Sequence, residues 1–456
     1  MHDEPSSDRA QDSDGHRDCS GAFSAVSGLP IPGDIPAVVP VHRNMPPQPF
    51  VGDVSAATML ALESLRSRIG GRPRVAVTAG SRGIHEIATV VRATVEWLRA
   101  AGADPFVVPA MGSHGGATAE GQLAVLADLG IHEAAVGAPV IASMDTVEVG
   151  YLASGTPVHW ARVVAEADAV LLINRVKPHT DFRGPVESGL AKIMAVGLGK
   201  QRGAEALHAG GVAALGESIR EAAQVILRQG KVLGGLAIIE NAHERTAAVE
   251  LVDASQIGED GEMALLRRAH DLLGRLPFND LDVLVVDRLG KDKSGTGMDT
   301  NVLGRCWVPG VPEFSSPDIT VVTVHGLTPA SHGNASGLGL ADIAPRRMLD
   351  SIDLRATYLN AVTSGTGGLR RARLPMLLED DAAVVRAAVA MCGRRDRTQV
   401  RLARIQDTLS LDQLMVTPAL LPEVERDPEL TVTGDPVPLV QAGGLSPWPH
   451  ALVPAG

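Results

Sequence analysis

The chain has 456 residues, more than one ordinary domain accommodates. A formal net charge of -12 with only 3% aromatic residues sets aside a polyanion-binding surface and a nucleic-acid reader that stacks bases on rings. Cys19, Cys306 and Cys392 are few and far apart, which excludes a disulfide framework, a CxxC zinc knuckle and a four-thiolate cluster; a reduced, cytoplasmic setting is expected. No apolar run reaches about 18 residues, so no membrane span is expected. Met1 to Ser20 also lacks the apolar stretch of a signal peptide.

Residues 1–30 read as a disordered leader, and the Pro-rich run Leu29 to Pro49 as a connector lying extended over the first folded block. Ala56 to Ile69 is amphipathic and stops at Gly70-Gly71, as a helix should. Arg74 to Thr78 is a short apolar strand feeding the turn Gly80-Ser81-Arg82-Gly83. Ile84 to Ala101 has helical spacing and ends at Gly102. Phe106 to Ala110 is the next strand, running into Met111-Gly112-Ser113-His114-Gly115-Gly116. Thr118 is placed to cap the helix Ala119 to Leu129. Repeated strand–loop–helix units imply a parallel sheet with helices on both faces, whose ligand site is built by loops at the carboxyl ends of the strands. Arg82 and His114 both occupy such loops.

The pattern returns at Ala169 to Asn174, followed by Arg175-Val176-Lys177-Pro178-His179, a Gly-rich segment reaching Gly211, a helix over Leu215 to Leu227 and a strand over Leu236 to Glu240. A second block opens with the strand Leu281 to Asp287 and the loop Gly290 to Asp299, then a strand over Ile319 to Val324 and a helix or turn at Leu338 to Asp342. Pro277, Asn279 and Asp280 mark the boundary. The expected architecture is therefore α/β: two α/β domains with parallel-type sheets, residues 31–275 and 276–456, and the active site in the cleft between them.

Familiar motifs fail. Gly197-Leu198-Gly199-Lys200-Gln201 lacks the first glycine and final hydroxyl of a phosphate-binding loop, and Gly197, Gly199 and Gly203 miss the dinucleotide spacing. No nucleophile elbow and no zincin motif occur. What remains is His114 between glycines after one strand, His179 at the end of another, Lys192 thirteen residues on and His208 another sixteen beyond. Imidazole is readily poised near neutral pH and is a common metal ligand. A lone histidine at a strand end is usually structural; two in one α/β block point to a shared site, because those loops converge.

The strings Met111 to Thr118, Lys177-Pro178-His179-Thr180-Asp181-Phe182-Arg183-Gly184 and Gly189-Leu190-Ala191-Lys192, with His208, resemble the nickel-dependent lactate racemase family. The resemblance runs from about residue 50 onward and is densest between 74 and 211. It implies a nickel pincer nucleotide (pyridinium-3-thioamide-5-thiocarboxylate mononucleotide) tethered to Lys192, with His208 as the protein ligand to nickel. It further implies His114 and His179 as acid–base groups on opposite faces of a substrate whose carboxylate Arg82 holds. The implied reaction is racemisation or epimerisation of a 2-hydroxy acid by reversible proton-coupled hydride transfer, with the cofactor supplied by its biosynthesis enzymes.

Departures from the family pattern bear on the substrate. Ala79-Gly80-Ser81 stands where an acidic residue precedes the arginine, and Gly189-Leu190-Ala191-Lys192 lacks one basic residue. Lactate, a sugar acid and a longer hydroxy acid all remain open. Lys291, Lys293, Asp299 and Asn301 in the second block are candidates for further substrate contacts, beside the plainer reading that the Asp and Asn cap turns. The arginines from Arg370 to Arg404 read as a solvated helix face, and His325 and His332 as structural. Two other readings stand: a net oxidoreductase or lyase-type enzyme on the same scaffold, and an inactive cofactor- or ligand-binding homologue.

Overall fold

A computed structural model describes residues 28–449, so most of the expected leader lies outside the described residues. The connector expectation needs correcting at once. Within it, strand β1 (Ala37–Arg43) pairs antiparallel along both edges, and its partners come from the far end of the chain.

The first sheet follows the sequence closely. Helix α1 (Val54–Leu62) leads to β2 (Arg74–Ala79), α2 (Ile87–Ala100), β3 (Asp104–Pro109) and α3 (Ala119–Asp128). The Thr118 hydroxyl accepts from Gly121 N at 3.0 Å, the expected cap, worth about 1 kcal/mol. An antiparallel hairpin, β4 (Thr146–Tyr151) with β5 (Pro157–Ala161), precedes β6 (Ala169–Arg175). Helices α4 (Lys200–His208) and α5 (Val212–Leu227) follow, then β7 (Val232–Glu240), β8 (Thr246–Asp253) and α6 (Asp260–Asp271). The strand order is β3-β2-β6-β7-β8, parallel except for the last, antiparallel strand. Alternate residues face opposite cores, as a strand's period of two requires. Ala76, Val170 and Leu172 pack on one side, and Val75, Val77, Leu171 and Ile173 on the other. Burial on both faces is why these strands are near-continuously apolar.

The second sheet contains β9 (Asp280–Val286), β10 (Asp318–Val324), β11 (Ile343–Pro345), β12 (Met376–Leu378), β13 (Leu402–Ile405), β14 (Gln413–Val416) and β15 (Leu430–Val432). Its order is β12-β11-β10-β9-β13-β14-β1-β15, with β12 to β13 parallel and the remainder antiparallel. Helices α7 (Leu354–Thr363), α8 (Thr366–Arg371) and α9 (Asp381–Met391) complete it. The protein is thus α/β with parallel-type sheets. No helix among the described residues is long and apolar enough to cross a membrane.

Two segments of the second block, the turn at Thr300–Leu303 and the end of α8, reach the first sheet's ligand end. The Thr300 hydroxyl donates to Thr180 O at 2.7 Å, Arg371 Nη1 donates to Asp181 Oδ1 at 2.6 Å, and Arg183 donates to the Asn301 side chain. Arg371 is therefore not part of a solvated face: it is buried at 4% exposure, and Arg404 is buried at 2% against Asp287.

Candidate active site

At the carboxyl ends of β2, β3 and β6 lies a cavity of about 240 Å³, lined by Arg82, His114, His179, Lys192 and, from the second block, Ser294 and Gly295. Four of the expected site residues thus share one space. Three of them are placed by strand ends: β2 delivers Ser81 and Arg82, β3 delivers His114, and β6 delivers Lys177 and His179.

His114 keeps one face open to the cavity while protein crowds the rest. Burial, then the cations of Arg82, Lys192 and Lys291, lowers its pKa to about 4, so the ring is neutral at physiological pH. Its Nδ1 meets the Ser81 hydroxyl at 2.5 Å. That hydroxyl can donate or accept, so it serves either tautomer.

His179 is fixed more tightly. Its backbone N–H donates to the buried Glu187 carboxylate at 2.5 Å, its ring stacks on Phe182 with centroids 4.4 Å apart, and its Nδ1 accepts from Asp181 N at 3.0 Å. The Asp181 carboxylate stands 3.9 Å from the same Nδ1. Burial and the nearby Lys192 charge push this histidine well below its ordinary value. Lys192 Nζ lies 2.5 Å from His179 Nε2, within hydrogen-bond contact. Burial lowers Lys192 to about 8, so about a tenth of it is free amine at pH 7, far more than for an ordinary lysine.

Lys192 ends a short helical turn, Leu190–Lys192, and is followed by a π-helical turn, Ile193–Gly197, a feature common at functional sites. The buried Glu262 carboxylate anchors that turn, accepting from Leu190 N at 2.5 Å and Ala191 N at 3.2 Å. His208, at the end of α4, donates from Nδ1 to Ala204 O at 2.6 Å. That bond leaves the Nε2 lone pair free, the arrangement a ligating imidazole needs. His208 does not line the cavity, yet it is near enough to Lys192 and Asp181 for their charges to act on it. No cluster of three or more His, Cys, Asp or Glu able to hold a metal occurs among the described residues. A metal here needs most of its donors from a bound cofactor.

Arg82 makes no hydrogen bond to any described side chain or backbone group; its guanidinium lies against Gly295, where a Cβ would stand 3.0 Å from Nη2. Nearby cations are paired: Arg175 with Glu240, Arg371 with Asp181, and Lys177 with Asp299 at 3.9 Å. Arg82 has no such partner among the described residues. Lys291 joins this group. Its Nζ donates to Gly295 O at 2.8 Å, and burial, then Arg82 and Arg371, lowers it to about 7.

The other second-block candidates are placed differently. Lys293 turns to Asp292 and Asp407, each at 3.4 Å. Asp299 Oδ1 caps the turn Thr300–Leu303 by accepting from Asn301 N at 2.9 Å, the plainer alternative for this loop. Asn301 lines a neighbouring cavity with Phe182 and Arg183. Ser81, Asp181, Glu187 and Arg371 carry no motif of their own, although Ser81 stands in the turn that bears Arg82 and Asp181 in the string that follows Lys177. His325 meets Thr323 and Asp381 in the order of a catalytic triad, but Thr323 is wholly buried in β10, so the group is structural.

Such a cavity defines a class: an α/β protein with two neutral histidines, a reactive lysine and an unpaired arginine at the ligand end of a parallel sheet. Residues 63–217 match the family model of the lactate racemase N-terminal domain. No curated protein matches the chain in sequence. Two solved structures follow a similar course. One is a protein from Thermotoga maritima, 16% identical with a TM-score of 0.43, covering 62% of this chain and 72% of that one. The other is the lactate racemase apoprotein from Thermoanaerobacterium thermosaccharolyticum, 12% identical with a TM-score of 0.44, covering 78% and 86%.

Proposed function

We propose that the protein is a racemase or epimerase that inverts the carbinol carbon of a 2-hydroxy acid, using a nickel pincer nucleotide tethered to Lys192. The observation that carries this reading is the pairing of two neutral histidines, His114 and His179, across a cavity that also holds Lys192 and an unpaired Arg82. The family match over residues 63–217 supports it.

The residues fit the cofactor: Lys192 would carry the tether and the free Nε2 of His208 would ligate nickel. When bound, the cofactor supplies a reversible hydride acceptor. The protein does the rest. Arg82 holds the substrate carboxylate through its guanidinium fork, with the Lys291 cation beside it. His114, poised by Ser81, takes or returns the hydroxyl proton on one face. His179 does so on the other once the tether occupies the Lys192 amine. The Asp181 carboxylate, 3.9 Å from Nδ1, then steadies the imidazolium. Loops of the second block close the cavity and exclude water, and the division at about residue 276 into two domains belongs to this reading. A cytoplasmic setting and loading by cofactor-biosynthesis enzymes complete it.

Intact mass and nickel content, measured on protein made with the cofactor-assembly enzymes, test the assignment. The wild type should gain one nucleotide and stoichiometric nickel, Lys192→Ala should lack both, and a panel of chiral 2-hydroxy acids should then reveal the substrate. Unmodified mass without nickel in the wild type would sink the proposal.

A further inference from the structure

Lys200 is wholly buried, and among the described residues no carboxylate pairs with it. Its backbone is left-handed at φ 55°, a conformation a lysine adopts only when its surroundings impose it. The ammonium donates to Pro109 O at 2.6 Å and to Gln122 Oε1 at 2.9 Å. Gln122, also wholly buried, donates from Nε2 to Gly112 O at 2.9 Å and reaches His114 O at 3.4 Å. An ammonium can only donate, so it settles which way the Gln122 amide faces: oxygen toward Lys200, nitrogen toward the His114 loop.

A second contact ties the same two segments. Gly112 N donates to Gly197 O at 3.0 Å, and a Cβ on Gly197 would stand 2.7 Å from Ala110 O. The stretch from Lys192 to Lys200 and the loop from Pro109 to His114 are thereby one rigid unit. A buried ammonium without an anion is costly to desolvate, and a methionine of similar length would fill the space without that cost. Packing alone does not account for it.

We infer that Lys200 is a positioning residue: through Gln122 and Pro109 it sets the His114 ring from the far end of the Lys192–Lys200 segment. The inference rests on His114 acting on the substrate, as proposed above. It predicts that proton transfer at His114, rather than substrate binding or cofactor loading, depends on Lys200.

Two variants of the full chain test it: Lys200→Met/Gln122→Met and Gln122→Glu, each produced with the cofactor-assembly enzymes. The double variant removes the charge and its polar partner together, so it should fold with a thermal midpoint near that of the wild type. Gln122→Glu keeps an anchor for Lys200 but loses the donor to the loop. Nickel content, tether mass and KM should be unchanged in both, while kcat falls about 10- to 100-fold. The ¹³C-labelled Cε1–H signal of His114, assigned with His114→Gln, should move, and its titration midpoint should rise by about one pH unit toward free imidazole. Wild-type kcat and an unmoved His114 signal in either folded variant would overturn the inference. If the wild type itself racemises no 2-hydroxy acid, the racemase reading falls, whereas the His114 signal in the same samples still decides whether Lys200 sets that ring.

Discussion

Arg371→Met probes the clamp that the second block places on the His179 loop. The Arg371 side chain is 5% exposed and the Asp181 side chain 18%. Besides the 2.6 Å ion pair, the guanidinium donates to Thr180 O at 3.0 Å and to Cys306 O at 2.9 and 3.1 Å. Burial alone would raise Asp181, but the charge of Arg371 and the bonds from Arg371 and Thr180 override it and hold the carboxylate far below its usual range. Removing one partner of a buried pair leaves the other charge uncompensated, a loss of about 3–5 kcal/mol. Urea unfolding of the variant should show it. Because the folded pKa of Asp181 is depressed, its contribution is present above the unfolded value of about 3.9 and fades as pH falls through the folded one. The gap between wild type and variant should therefore narrow below about pH 4. Asp181→Asn in the Arg371→Met background should cost little more, giving a coupling of about 1–3 kcal/mol. Single losses below about 1 kcal/mol that simply add would refute the clamp.

Gly295→Ala places a methyl 3.0 Å from Arg82 Nη2 and 3.2 Å from its Cζ, so the fork must shift. Because misplacement by about 1 Å can cost about 100-fold, kcat/KM for the 2-hydroxy acid should fall at least about 10-fold with an unchanged thermal midpoint; unchanged kinetics would show that Arg82 does not hold the carboxylate. For Lys291, lowered to about 7, the cation is present below that pH and lost above it. KM should therefore rise as pH increases through about 7, and Lys291→Met should flatten that rise; a persisting slope would exclude Lys291 from the substrate site.

Much of the first sheet was legible because its strands are short apolar runs ending in glycine-bearing loops, and those ends carry Arg82, His114 and His179. Residues that act at a distance were not. Arg371 sits in an arginine-rich stretch that looks solvated, and its partner Asp181 lies 190 residues away. Pro40 within Ala37–Arg43 argues against an inner strand, because proline offers no N–H to a ladder. The strand survives because Pro40 still accepts, through its carbonyl, from Thr433 N at 2.9 Å. Ser81 gave no signal, since a serine beside a glycine in a turn is ordinary. The edge strand β8 reverses direction, and periodicity carries no information about direction.

The placement of β1 bears on how the protein comes into being. A ribosome releases Ala37–Arg43 long before the neighbours of that strand, Gln413–Val416 and Leu430–Val432. The first sheet can form while β1 waits unpaired, its Val38, Val39 and Val41 exposed. Closing so long a loop adds only logarithmically to the entropic cost but delays the contact, so the waiting strand is a natural client for a chaperone. A fragment beginning at residue 276 would lack this strand altogether, leaving β14 and β15 with open edges prone to pair with other chains.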